Sequence, residues 1–435
     1  MIILWLFATF APLTAMGAER RPLGRKIDPV VITGKLTAAL VGIPVQQIGL
    51  FAFHDGLLTP IPFQIDEKTP DGNFAYAVWN GRQTWVDDGK LDDNDEIVFM
   101  AKDVGEAVND APWPNNAVTG VRILVTDPDD GSVGFVYAFA FSTSAPKTDK
   151  DYVTYHVEKN EIESDAYLVG YDPKAPIAIG KLIVKKGFGG SGVSVADRLK
   201  IRIFAKARWG LFEIDRNEED FLTEVVAYTD GAVRVIRRTR AWQELVWNIP
   251  TPSSFQDSTY YWNQLLFPIT IDLPFDISAF FSDLSMRVTV DTPHTVKGRK
   301  YYNERNPQGV TIDGRMSEKE KNLDAGEFSW QVIAGSLPEH PEGWISRQIV
   351  HSDNGKVRLP LYYMDDLNVL DAPENMPGSF GNLGFRFNGI QKMKKGSLNI
   401  TVQQFPAINY RPGDEKMYMK ILDRPLKVSA MQISH

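Results

Sequence analysis

Apolar residues recur mostly at every second position along this chain, the period of a strand with one buried face. Val133, Phe135, Tyr137, Phe139 and Phe141 follow that period, and so do Leu199, Ile201 and Ile203, which alternate with Lys200, Arg202 and Phe204. Met286, Val288 and Val290 alternate with Arg287, Thr289 and Asp291; Leu398, Ile400 and Val402 alternate with Asn399, Thr401 and Gln403. Half-polar strands of this kind predict antiparallel sheets with one wet face. Helical periodicity is scarce, and Ser317 to Leu323 predicts no more than a short turn of helix. The expected fold class is therefore all-β: an N-terminal β-sandwich plus a larger antiparallel double-sheet domain.

The polar, Pro-containing stretch at 142–151 predicts a boundary, because it follows the most apolar strand of the first third. That places a first sandwich over 28–145 and the larger unit over 150–428, two units being the default for 435 residues. Ahead of them, Ile2 to Met16 is apolar and uncharged, and Ala15 and Gly17 are small. A signal peptide over 1–18 is expected, cleaved after Gly17 or Ala18, although no Lys or Arg precedes the apolar run. Periplasmic or extracellular localisation follows.

Composition removes several chemistries. The chain has no cysteine, which excludes a lipid anchor, disulfides, thiolate metal sites and thiol nucleophiles. A net charge of −8 argues against nucleic acid as a main partner. No segment after the leader is apolar for the length of a membrane span. Gly-x-Ser-x-Gly, His-Glu-x-x-His and Walker patterns are absent, and the Gly-rich run at 186–192 lacks the Lys-Ser/Thr ending that holds phosphate. His54, His156, His294, His340 and His351 stand singly, none at metal-ligand spacing.

Two patterns carry candidate chemistry. The first is Asp87-Asp88-Gly89-Lys90-Leu91-Asp92-Asp93-Asn94-Asp95-Glu96, whose second half has the spacing of a calcium loop. Asp88, Asp92 and Asp95 are the candidate Ca2+ ligands, with Asp66 and Glu67 as nearby oxygens. Thr84 and Val86 stand where early carboxylates would be needed, and a solvated, Asx-rich turn is the competing reading. The second pattern is cationic. Arg234, Arg238, Arg240 and Trp242 share one strand parity, as do Lys200, Arg202, Lys206 and Arg208. Were the two strands neighbours, Arg202, Arg208, Arg234, Arg238, Arg240 and Trp242 would form one face suited to an acidic polysaccharide, since Arg forks bind carboxylates bidentately. The alternative is a solvated face with cross-strand pairs to Glu213, Asp215, Glu224 or Glu244.

The run Ile61-Pro62-Phe63-Gln64-Ile65-Asp66-Glu67, together with the acidic run, resembles the opening domain of a secreted bacterial family of unknown function. Members of that family are found near polysaccharide-degradation genes and carry a galactose-mutarotase-like supersandwich. Asp230-Gly231-Ala232-Val233-Arg234 is similar to the Gly-Pro-Val-Arg segment of such supersandwiches, with Ala232 in place of Pro. The resemblance implies a secreted carbohydrate-binding protein. Such a protein could act on an acidic polysaccharide as a lyase or a hydrolase accessory; in a lyase, Arg would neutralise a uronate carboxylate while His or Tyr abstracts a proton. The other function class is a non-enzymatic assembly protein that engages a partner through exposed strand edges.

Overall fold

The computed structural model describes residues 21–83, 88–108, 112–210, 212–242, 253–335, 341–351, 357–374 and 380–434. The leader expected over 1–18 lies outside the described residues. Antiparallel strands dominate, and the alternating segments form them: Val133–Phe141, Arg198–Ala207, Phe281–Asp291 and Gly396–Ile408 are all strands. Glu320–Asn322 supplies a single turn of 3-10 helix inside the segment that predicted one. The protein is all-β and built of packed sheets.

The N-terminal part pairs two sheets around one core. One has the order Pro29–Thr33, Glu96–Met100, Phe63–Asp66; the other runs Lys427–Ile433, Ala117–Thr126, Val133–Phe141, Ile48–His54, Leu57–Pro60. Ile32, Leu50, Ile97, Phe99, Ile123 and Val136 fill the space between them. Val133–Phe141 is buried on both faces, with Val136, Ala138 and Ala140 in this core and Phe135, Tyr137, Phe139 and Phe141 in a second aromatic cluster. The expected range 28–145 omits the last strand of this sandwich. Lys427–Ile433 returns from the far end of the chain and pairs with Ala117–Thr126 from Lys427↔Thr126 to Ile433↔Gly120. Its alternation brings Val428 and Ala430 onto the same core. A short edge strand of this pattern fits any open sheet edge, so sequence position does not reveal its partner.

The larger part faces an eleven-stranded sheet with a five-stranded one. Successive strands of the large sheet include Trp330–Ala334, Glu342–Val350, Gly396–Ile408, Gln264–Leu273, Ser254–Tyr261, Arg234–Trp242 and Leu222–Asp230. Val78–Trp79 and Arg82–Gln83 extend it at one edge, so the N-terminal part contributes two strands to it. The smaller sheet has the order Glu213–Asn217, Arg198–Ala207, Phe281–Asp291, Asn382–Arg386, Leu361–Met364. Its inner face is apolar, with Leu199, Ile201, Ile203, Met286, Val288, Val290, Leu383 and Phe385. That face does not close fully on the large sheet, and a cavity of ≈ 470 Å³ remains between them.

Candidate functional site

The strands Arg198–Ala207 and Arg234–Trp242 are not neighbours. The first pairs with Glu213–Asn217 and Phe281–Asp291, the second with Leu222–Asp230 and Ser254–Tyr261. They belong to the two facing sheets, and their odd and even positions point apart. Leu199, Ile201 and Ile203 look into the cavity from one side and Arg237, Thr239 and Ala241 from the other. Lys200 and Arg202 therefore point away from the cavity on the far side of one sheet, and Arg234, Arg238, Arg240 and Trp242 on the far side of the other, with Lys200 and Arg234 buried there under further structure. The single cationic face expected from parity does not exist, because facing sheets turn their polar sides away from each other.

Each of these arginines has its own partners. Arg202 donates to Glu218 at 2.5 Å and to Asp371 at 2.9 Å. Arg208 donates to the Ser278 carbonyl. Arg240 meets Glu224 at 3.2 Å and Ser253 Oγ at 2.8 Å. Arg238 lies 3.3 Å from Asp257. The pairing with Glu224 is the cross-strand kind that the solvated-face reading names. A face of matched pairs lacks the unpaired positive field a polyuronate requires.

Arg234 serves the architecture. It is 4% exposed and donates to Asp66 at 2.8 Å, to Glu96 at 2.6 Å and to the Tyr261 hydroxyl at 3.0 Å. Gln64 Oε1 accepts the N–H groups of Val233 at 2.9 Å and Arg234 at 2.7 Å, while Gln64 Nε2 donates to Asp66. Gly231 leaves room for this crossing, since a Cβ there would sit 2.5 Å from Gln64 Oε1 and push the amide off its bonds. The two motifs singled out in the sequence are thus the halves of one buried latch. Burial raises the Asp66 carboxyl above its ordinary range against the pull of Arg234, whereas Arg234 and Lys68 together hold Glu96 below its own.

The acidic run is part of the same latch. Asp95 is fully buried, its Oδ1 accepting the Lys68 N–H and its Oδ2 the Asp92 N–H, each at 2.7 Å. Asp88 is exposed and accepts the Lys90 N–H at 2.9 Å. Asp88, Asp92 and Asp95 therefore do not converge as calcium ligands, and among the described residues no three His, Cys, Asp or Glu side chains do. These are the bonds of an Asx-rich turn, with both oxygens of Asp95 turned to the backbone. The isolated histidines go to single contacts: His156 to Glu163 at 3.0 Å and His351 to Thr401 at 2.8 Å. His340 lies outside the described residues.

What the structure does bring together is an aromatic platform around Arg238. Trp79 and Phe255 are 36% and 46% exposed, and the Arg238 guanidinium lies 5.9 Å and 5.2 Å from their ring centroids. Register explains the grouping: Trp79 is opposite Ala227, Ala227 opposite Arg238, and Arg238 opposite Asp257. Tyr76 closes the row, its hydroxyl donating to Asp257 at 2.5 Å, and burial beside that carboxylate raises the Tyr76 phenol. One step along the strand, Arg240 stacks on Trp242 at 4.6 Å. Trp79 and Phe255 had no signal in the sequence, because their adjacency depends on a two-residue strand joining a distant sheet.

No family model and no curated protein matches the sequence. In structure the chain is similar to an α-mannosidase from Enterococcus faecalis, with 11% identity and a TM-score of 0.47 over 94% of this chain and 45% of that one. It is also similar to a protein in glycosyl hydrolase family 38 from Enterococcus faecalis, with 10% identity, a TM-score of 0.45 and coverage of 94% and 46%. The chain thus spans about half the length of the solved structures it matches.

Proposed function

We propose that the protein binds a carbohydrate on the platform formed by Trp79, Phe255, Arg238, Arg240 and Trp242. One observation carries the reading: partly exposed rings are interleaved with arginine–carboxylate pairs on a single sheet face. Rings offer flat apolar surface to the C–H face of a sugar, and the Arg238–Asp257 and Arg240–Glu224 pairs offer donors and acceptors to its hydroxyls. Because both arginines are already paired, the favoured ligand is a neutral glycan rather than a polyuronate. Export from the cell and a place beside polysaccharide-degrading enzymes, both implied by the sequence resemblance, belong to this reading. Catalysis is not part of it.

The test is a glycan array followed by calorimetry on the best ligand, with Trp79→Ala, Phe255→Ala and Arg202→Ala. Each aromatic variant should lose about tenfold or more in affinity, the scale of one good ring contact. Arg202→Ala, on the opposite surface, should leave binding unchanged. Affinity should vary little with salt, whereas a polyuronate held by free arginines would weaken steeply. Retention of no neutral glycan, or equal loss in all three variants, overturns the proposal.

A further inference from the structure

The cavity between the two sheets is separate from that platform, and its walls differ in chemistry. On the small-sheet side, Ile201, Ile203, Met286 and Val288 present only hydrocarbon. On the large-sheet side Phe267 and Ile269 continue the apolar lining between polar residues such as Gln256, Gln331 and Gln404 and the carboxylate of Asp272, and among the described residues one cation enters it: Arg237. This guanidinium is 1% exposed, and no carboxylate pairs with it among the described residues. Its Nη2 donates to Asn160 Oδ1 at 2.9 Å and to the Pro176 carbonyl at 2.7 Å; its Nε makes a long 3.4 Å contact with the Tyr155 hydroxyl, and Nη1 makes no bond among the described residues. Tyr171 lies against it, 4.3 Å from ring centroid to guanidinium.

A buried cation without a counter-ion is costly, and proteins ordinarily place a carboxylate beside it. Arg234, three positions earlier and equally buried, has two. The contrast marks the position of Arg237 as one where the negative charge comes from elsewhere. Exposure grades along the cavity in the matching sense. Phe267 is 8% exposed near the Arg237 end, whereas Ile269 and Ile271, farther along the same strand, are half-buried. A volume of ≈ 470 Å³ falls within the range of small-molecule sites. We propose that this cavity binds a long-chain fatty acid, with the alkyl chain along the apolar wall and the carboxylate on Arg237.

Palmitate and its neutral analogue 1-hexadecanol, titrated by calorimetry into the purified full-length chain, test the proposal. Palmitate should bind one to one, and hexadecanol at least tenfold more weakly. Arg237→Gln should cut palmitate affinity roughly ten- to a hundredfold and leave hexadecanol unchanged, since only the charged head group loses a partner. Val288→Trp, which fills the cavity from the sheet facing Arg237, should abolish both and serves as the second variant should Arg237→Gln fail to fold. Failure of palmitate to bind, equal binding of palmitate and hexadecanol, or full binding by Val288→Trp overturns it. A palmitoyl phospholipid in place of the free acid should not compete, because its carboxyl is esterified. None of these outcomes depends on the glycan platform, so the two proposals fail independently.

Discussion

The buried carboxyl of Asp365 couples the stability of this protein to pH. Asp365 is fully buried, its oxygens accepting the N–H groups of Asp313 and Gly314, each at 2.8 Å. Burial outweighs those bonds and pushes its pKa up to about 6. The folded state therefore binds this proton more tightly than the unfolded chain, whose aspartates titrate near about 3.9. Its contribution to stability is full below that unfolded value and is lost as the pH rises through about 6. Going from about pH 7.5 to about pH 5, the wild-type protein should gain stability relative to Asp365→Asn, which has no proton to take up. Melting temperatures of both proteins across that window check this, and parallel curves would refute it.

At the scale of elements, the C-terminal strand is the most exposed dependency. Lys427–Ile433 covers one edge of the N-terminal sheet with seven paired residues and packs Val428 and Ala430 onto its core. Removing the chain from Lys427 onward would bare the ten-residue strand Ala117–Thr126, a long open edge of the kind that templates aggregation. The amides of Ala117–Thr126 that face this strand should lose protection in hydrogen exchange, and the truncated protein should associate at micromolar concentration. Unchanged protection would mean that the strand is an ornament of the sheet. Nothing local in Lys427–Ile433 announces this role, since the same alternation would suit any edge.

For the molecule as a whole, the Gln64–Asp66–Glu96–Arg234 latch ties the N-terminal sandwich to the large sheet. Removing one member of a buried ion pair leaves the other charge uncompensated and costs about 3–5 kcal/mol. Arg234→Ala should therefore lower stability by that amount and split a single calorimetric transition into two, one for each side of the latch. Arg238→Ala, on the same strand but partly exposed, should not divide the transition. A single, unshifted transition in Arg234→Ala would show that the two parts are coupled elsewhere, for example through Val78–Trp79 in the large sheet.

The sequence by itself determined what is periodic or compositional: an all-β fold, the positions of its main strands, and the shared parity of Arg234, Arg238, Arg240 and Trp242. Those properties are local, because alternation follows from the pleat of each strand alone. It also picked out the segments around Gln64, Asp95 and Arg234 as distinctive, without showing that they meet. Tertiary structure decided everything that depends on which strand lies beside which. Arg202 went to one sheet and Arg238 to the other because strands of equal pattern pair equally well in the abstract. Asp95 spent its oxygens on backbone N–H groups, and Arg234 found Asp66, a residue 168 positions away. The cavity beside Arg237 has the same origin: each wall reads as ordinary core in sequence, and only the distance between the two sheets leaves a space there.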